Sequence, residues 1–400
     1  MTALSPMASI SFRSCTLARE LPDNTTVLSV FKIKNVIVFE SNADYSDNSR
    51  AFYEYLIENK YNNKYKIYWF VNNQKDFKDR ECKNVKFLTM WKNGTKKSFL
   101  QWIKYFHIVK NAKYLISSNR QLHKLNNKTI SININHGTPL KRVKDIGVVP
   151  KDIDMVLVGS DFCVNMMSNQ LNLPKDKFIC VGNPRNDIIF KDSNTIEKVK
   201  EYSDYDKIIV WLPTFRKAMG SERNDSTLNF PLGLPIIYSE EELLKLNEYL
   251  KRNNVLILFK LHPHQDTTLF KASSLSNIKI LTDSYLIEKD IELTELFKIS
   301  DALITDYSGV YYDYLLLDNI IGFTVDDFED YKNKKGFVFD NIQDYMAGEK
   351  IKNIEDLYVF IDNVIKNNDL YKKERNEMKN KFNKYLDAKS SERLAKYLKL

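Results

Sequence analysis

The feature that most restricts the fold of this chain is a recurring, strand-sized run of Val, Ile, Phe and Tyr, alternating with stretches of helical periodicity. Strands buried on both faces read as continuous apolar runs, and helices must then cover both faces of the sheet. In the first half such runs fall at 35–40, 66–71, 113–117, 129–135, 155–159 and 178–182. In the second half they fall at 207–212, 255–261, 278–281, 302–305 and 320–323. Helical patterns occupy 49–59, 161–171, 240–252, 293–298 and 354–367, and charge and apolar positions alternate at helical spacing near the C-terminus. The pattern predicts α/β architecture with parallel sheets.

At 400 residues the chain is too long for one ordinary core, so two domains are expected. Two doubly wound, Rossmann-like domains facing across a cleft form the GT-B arrangement of nucleotide-dependent transferases. The expected boundaries are a poorly ordered leader at 1–25, a first domain at 26–188, a connection at 189–206, a second domain at 207–385 and a terminal helix at 386–400. The stretch 218–232 has few apolar residues and reads as a mobile loop near the cleft. Other two-domain α/β enzymes fit the pattern, but the chain lacks the G-x-G-x-x-G of a dehydrogenase and the G-x-x-x-x-G-K-[ST] of a P-loop enzyme. It also lacks H-E-x-x-H and G-x-S-x-G. Cys15, Cys82, Cys163 and Cys180 form no C-x-x-C pair, so reduced thiols in a cytoplasmic protein are expected. No apolar run approaches the roughly 18–20 residues that span a bilayer, and the N-terminus does not read as a signal peptide.

Polar turns follow several of the expected strands, where ligands of open α/β sheets bind. Asn135-His136-Gly137-Thr138-Pro139-Leu140-Lys141 ends one run. His136 is the candidate base, since a neutral imidazole takes a proton near neutral pH. Gly137 permits close backbone approach, and Lys141 offers a cation to phosphate. A histidine merely hydrogen-bonded in a turn is the plainer alternative. Lys260-Leu261-His262-Pro263-His264 ends another run and supplies donors for anionic oxygens; a metal site there would need more acids than Asp266. Pro213-Thr214-Phe215-Arg216 ends a third, with an arginine fork suited to phosphate or simply lying on the surface. Thr305-Asp306-Tyr307-Ser308-Gly309 opens a helix whose N–H groups can hold phosphate. Asp306 is better placed to orient a histidine or bind a hydroxyl, and Thr305, Asp306 or Ser308 can also serve as plain caps.

Charge is unevenly distributed. Residues 1–185 carry 29 Lys+Arg against 15 Asp+Glu, and residues 186–400 carry 31 against 37. The basic half suggests an anionic partner, a membrane surface or a phosphorylated polymer, unless its lysines are simply solvated. Residues 92–113 interleave lysines with Phe99, Trp102, Tyr105 and Phe106, preceded by Trp91. Such a segment either lies on an anionic membrane or turns an amphipathic face to the core.

Taken together, these motifs resemble the CDP-glycerol glycerophosphotransferases, which prime or polymerise teichoic acids and related capsular polymers. The likeness rests on His136–Lys141 with Asp145-Ile146-Gly147 after it, Gly182-Asn183-Pro184-Arg185, Pro213–Arg216, Lys260–Pro263, Thr305–Ser308, Tyr312-Asp313-Tyr314, Asp326–Tyr331 and Gly336-Phe337. They occur in the family's order over roughly residues 30–350. Gly309 stands where a second serine is common, His264 where an apolar residue is frequent, and Met346-Ala347-Gly348 replaces a Pro-Gly-rich stretch.

The resemblance implies an acceptor-side first domain and a CDP-donor-binding second domain. Alditol phosphate from CDP-glycerol or CDP-ribitol would pass to a hydroxyl of a lipid-linked glycan or polymer, releasing CMP at the cytoplasmic face of the membrane. It implies His136 as base, with Arg216, His262, Thr305 and Ser308 at the donor pyrophosphate and Asp306 in support. With the residue reading, the expected site is His136, His262 and Asp306 for catalysis, and Lys141, Arg216, Lys260, His264, Thr305, Ser308 and Gly309 for the donor. No cofactor and no metal site are required, Mg²⁺ remaining compatible, and nucleic acid is not an expected partner. The rivals are a nucleotide-sugar hexosyltransferase of the same fold and a non-catalytic polyanion-binding protein.

Overall fold

The computed structural model describes residues 33–90, 99–118, 122–143, 149, 152–192, 194–214, 228, 230–261 and 275–400. Two all-parallel sheets organise it. The first contains β1 (Val36–Glu40), β2 (Lys66–Val71), β3 (Val85–Thr89), β4 (Tyr114–Ser117), β5 (Ile130–Asn133), β6 (Met155–Val158) and β7 (Phe178–Cys180), in the order β3-β2-β1-β4-β5-β6-β7. The second contains β8 (Lys207–Leu212), β9 (Val255–Phe259), β10 (Ile278–Ile280), β11 (Ala302–Thr305), β12 (Ile320–Thr324) and β13 (Glu349–Ile351), in the order β10-β9-β8-β11-β12-β13. Each order reverses once, between β1 and β4 and between β8 and β11. These are the switch points at which open sheets form ligand crevices. The architecture is the expected GT-B-like pair of Rossmann-like folds.

Central strands form where the sequence has unbroken apolar runs. All five residues of β9 are buried, as are five of the six in β8. The expected set of strands omitted β3 and β13, which lie at sheet edges. β3 alternates, with Lys86 exposed between buried Val85 and Phe87, and β13 is only three residues long. Edge strands covered on one side carry no continuous apolar signal. Helix α1 (Asp47–Glu58) begins two residues before the expected 49 because Ser46, in extended backbone, starts it. The next helix is α2 (Phe99–Asn111).

The two halves are not packed independently. One apolar core joins Leu140, Val156, Val158 and Phe178 of the first half to Tyr307, Tyr311, Tyr312, Phe337 and Phe382 of the second. Burying a side chain of this size contributes on the order of 1.5–3 kcal/mol. The connection expected at 189–206 is not purely polar in its packing, since Val199 and Tyr202 enter this core. The helix Ser390–Tyr397 returns to the first sheet, where Leu394 and Ala395 pack with Ile37 and Phe39. Asp187 accepts hydrogen bonds from the Ser390 and Ser391 amides at 2.8 and 2.9 Å, which fixes that return. Most of the loop expected at 218–232 lies outside the described residues, but Leu232 at its end is buried in the core of the second sheet. The leader expected at 1–25 also lies outside them.

Helix α2 has two distinct faces. Ile108 and Val109 pack under β1 and β4 with Val36, Val38 and Leu115. Trp102, Ile103 and Phe106 remain 38%, 42% and 36% exposed, beside Lys104. Among the described residues no helix is long and apolar enough to cross a membrane.

Candidate active site

A cleft of about 440 Å³ opens between the C-terminal ends of the two sheets. His136, Gly137, Thr138, Pro139 and Lys141 line it from the first half, and Lys260, Ser308, Gly309 and Val310 from the second. The expected base and part of the expected donor site therefore share one crevice.

The His136 turn is held by asparagines. Asn133 Oδ1 accepts from the Asn135 amide at 2.8 Å, and Asn135 Oδ1 accepts from the His136 amide at 2.8 Å. Asn135 itself has φ +56°, a conformation that asparagine tolerates better than most residues. From α1, Asn48 Nδ2 donates to the carbonyls of Ile134 and Asn135 at 3.0 and 3.1 Å. The bend is thereby held by bonds that do not use the imidazole.

Gly137, at φ +113°, has a steric reason to be glycine. A Cβ there would stand 2.4 Å from Arg185 Nη2. Arg185 is the residue that ties the site together. Its Nη1 donates to Asp47 Oδ1 at 2.7 Å and to the His136 carbonyl at 2.9 Å, while Nη2 donates to Asp313. Its amide donates to Asn48 Oδ1 at 3.0 Å, and Asn186 Nδ2 donates to Asp313 Oδ1 at 2.8 Å. Burial disfavours the charge on Arg185, but Asp313 and Asp47 outweigh it and hold the guanidinium protonated. Burial likewise raises Asp313 above the usual carboxylate range, against the pull of Arg185 and Asn186.

His136 is open to solvent within the cleft, yet protein surrounds it on several sides. Its pKa is lowered, first by desolvation and then by the positive charges of Arg185 and Lys141, against Asp47 and a hydrogen bond to the Ser118 main chain. A lowered value leaves the imidazole neutral at physiological pH, the form that can accept a proton.

The second half contributes a different kind of surface. Gly309 meets the first half directly, because a Cβ there would sit 2.1 Å from the Thr138 carbonyl oxygen. A glycine, unlike a serine, fits this close approach of two backbones. Alongside, Lys141 forms a β-bridge with Phe337, flanked by Arg142 N to Gly336 O at 3.0 Å and Val338 N to Leu140 O at 2.9 Å. Lys260 lines the cleft while paired with Asp283 at 2.8 Å.

Thr305 is placed differently from the expected donor contact, whereas Asp306 lies beside it in a supporting position. Both are fully buried beneath the cleft. Thr305 Oγ1 donates to the Leu212 carbonyl at 3.0 Å, and Asp306 accepts from the Thr214 amide at 2.8 Å and from the Thr214 hydroxyl. In this arrangement they lock the loop after β8 to the loop after β11 and do not face the crevice. Arg216, His262 and His264 lie outside the described residues.

Sequence reasoning gave no role to Asp47, Arg50, Arg185, Glu292 or Asp313, all of which line the cleft. Arg50 of α1 reaches across to Asp290 and Glu292, each at 2.9 Å, and Arg80 joins Asp290 at 3.0 Å. Burial pushes Glu292 up to about 7, with Arg50 opposing the rise. Arg185 and Asp313 sat inside quoted motifs, and a post-strand arginine paired with a helix aspartate was the available signal. Among the described residues there is no group of three or more His, Cys, Asp or Glu side chains placed to hold a metal ion.

Comparison with known proteins gives the family and the fold. The family model described as CDP-glycerol:poly(glycerophosphate) glycerophosphotransferase matches residues 24–400. The teichoic acid poly(glycerol phosphate) polymerase of Bacillus spizizenii is 28% identical over 337 residues, covering 77% of this chain and 78% of its own. The teichoic acid ribitol-phosphate polymerase TarL of Staphylococcus aureus is 26% identical over 249 residues, covering 60% of this chain but only 40% of its own. A solved structure of the wall teichoic acid polymerase TagF soaked with CDPG superposes with a TM-score of 0.68 at 23% identity, covering 92% of this chain and 88% of that one. At that identity the superposition shows a shared fold.

Proposed function

Because the chain belongs to the CDP-glycerol:poly(glycerophosphate) glycerophosphotransferase family, we propose that it transfers an alditol phosphate from a CDP-activated donor to a hydroxyl of a lipid-linked acceptor. The observation that carries this reading is the cleft that His136 of the first half and Ser308 and Gly309 of the second line together. A neutral His136 takes the proton of the acceptor hydroxyl. The freed oxygen bonds to the β-phosphorus of the donor, and the phosphorus–oxygen bond to CMP breaks, with its electron pair leaving on CMP. Positioning and charge stabilisation supply the acceleration, as in phosphoryl-type transfers generally. Lys141, Lys260, Ser308 and the Gly309 main chain are assigned to the donor phosphates, together with Arg216 and His262 by family resemblance and His264 from its place in the same turn. Thr305 and Asp306 act beneath them by fixing the loops.

The relatives include a glycerol-phosphate and a ribitol-phosphate polymerase, so both CDP-glycerol and CDP-ribitol are donors to test. Incubating the protein with each donor and a lipid-linked acceptor analogue should release CMP with one of them. Release of UDP or GDP from nucleotide sugars instead would favour the hexosyltransferase rival. No turnover of any donor, with polyanion binding intact, would favour the binding protein.

We further propose a peripheral position on the cytoplasmic face of the membrane, with α2 as the contact. The support is its exposed Trp102, Ile103 and Phe106 beside a basic surface, the composition that lies at a lipid interface. Co-sedimentation with anionic vesicles should fall when Trp102 and Phe106 are replaced by serine. Equal sedimentation, or none at low salt, would remove this contact.

A further inference from the structure

The base does not stand alone in the cleft, which the N-terminal turn of α1 lines with the acidic Asp47. We propose that Asp47 is the positioning residue for His136, the fixed counter-charge to the imidazolium formed when the acceptor proton arrives. The proposal rests on His136 being the base. In the step, the proton passes to a His136 ring nitrogen, oxygen bonds to phosphorus, and CMP leaves with the bonding pair. Asp47 forms no bond and exchanges no proton.

Three observations carry this. First, one nitrogen joins the two residues: Arg185 Nη1 donates both to Asp47 Oδ1 at 2.7 Å and to the His136 carbonyl at 2.9 Å. Second, Asp47 and His136 line the same crevice. Third, Asp47 is held in place from several directions. Its carboxylate also accepts from the Asn48 amide at 2.6 Å, and its own amide donates to Glu292 of the second half. Its backbone lies at φ +63°, a conformation maintained only when the surroundings over-determine it. The neighbouring Asn48 fixes the His136 loop through the Ile134 and Asn135 carbonyls. One helix turn thus sets both the place of the base and its electrostatic surroundings.

The charged groups around His136 come from several elements. Asp47 on α1 favours the imidazolium, whereas Arg185 after β7 and Lys141 on the same loop oppose it. Asp313 reaches the site through Arg185. Arg50, Glu292, Lys260 and Asp283 line the crevice farther along. A counter-charge that is already fixed costs no reorganisation when the proton moves, which is the condition for stabilising a transition state.

The test is a direct NMR titration of the His136 ring in the full chain, assigned by the loss of its signal in His136→Asn. Asp47→Asn should move the midpoint down by about one pH unit. Asp47→Gly, which accepts the same backbone conformation, should do likewise. Lys141→Gln should move it up. In turnover, Asp47→Asn should lower kcat, leave the donor KM unchanged, and carry the acid limb of kcat/KM to lower pH. If Asp47 only braces Arg185, both Asp47 variants will lose activity with the His136 midpoint unmoved, and the proposal is overturned. The base assignment is judged separately, because a His136→Asn variant that keeps turnover removes it whatever Asp47 does to the titration.

Discussion

The two walls of the cleft are built on opposite plans. On the wall of the first sheet, the reactive candidate His136 stands in the open, and the hydrogen-bonding that fixes it is taken up by Asn48, Asn133, Asn135 and Arg185 around it. On the wall of the second sheet, the motif Thr305–Gly309 is mostly submerged. Thr305 and Asp306 are buried and clamp Leu212 and Thr214, leaving Ser308 and Gly309 at the surface. A motif is therefore not a roster of substrate contacts. Part of it meets the ligand, and part determines where the ligand-facing part lies.

Substitutions on the two walls should behave differently if this contrast is right. The largest effect belongs to His136→Asn, expected to lower CMP release by about 10²–10⁴-fold while donor binding by equilibrium dialysis stays near the original. Collapse of donor binding would place His136 on the donor side of the comparison. Next comes Arg185→Ala, which leaves the buried Asp313 carboxylate without its cation. The expected cost is roughly 3–5 kcal/mol in denaturant unfolding, with activity lost alongside. An unfolding midpoint like the parent's would mean that the Arg185–Asp313 pair adds nothing to the other contacts holding the two halves together. Gly309→Ser should cost about 1–3 kcal/mol, because the new side chain meets the Thr138 carbonyl and must part the walls. It should also raise the donor KM, and a lowered KM would show that a hydroxyl there helps more than the close approach.

Asp306→Asn should be milder than the His136 change, acting on loop position and hence mainly on donor KM. A kcat loss as large as that of His136→Asn would put Asp306 back at the reacting atoms. The smallest effect concerns pH. Glu292 is pushed up to about 7 by burial, so the folded protein holds this proton over a range in which the unfolded chain has released it. Its contribution to stability is therefore lost as pH rises from the ordinary glutamate range to about 7. Glu292→Gln should flatten that part of the stability profile, and an unchanged slope would show that Glu292 is ionised throughout.

How much of this was legible in the sequence follows from where the information lies. Ile208–Leu212 and Val255–Phe259 announced themselves because strands covered on both faces need no polar residue. Val85–Thr89 and Glu349–Ile351 did not, because edge strands are short or alternate. His136 and Gly137 were visible as a titratable group and a flexible residue at a strand end. The Asp47–Arg185–Asp313 chain was not, since its partners are separated by more than a hundred residues and meet only after both halves have folded. The same reason hid Arg50 and Glu292. The burial of Thr305 and Asp306 was equally hidden, because a polar residue at a strand end looks alike whether it faces a ligand or a neighbouring loop.

The claim beneath all of this is that donor and base meet in one crevice between the two sheets. A crystal structure of the His136→Asn variant with an intact CDP-alditol tests it directly. The account predicts the reactive phosphorus between Ser308-Gly309 and residue 136, close enough for one acceptor hydroxyl to touch both. A donor seated elsewhere on the second half, with residue 136 facing empty solvent, would contradict it.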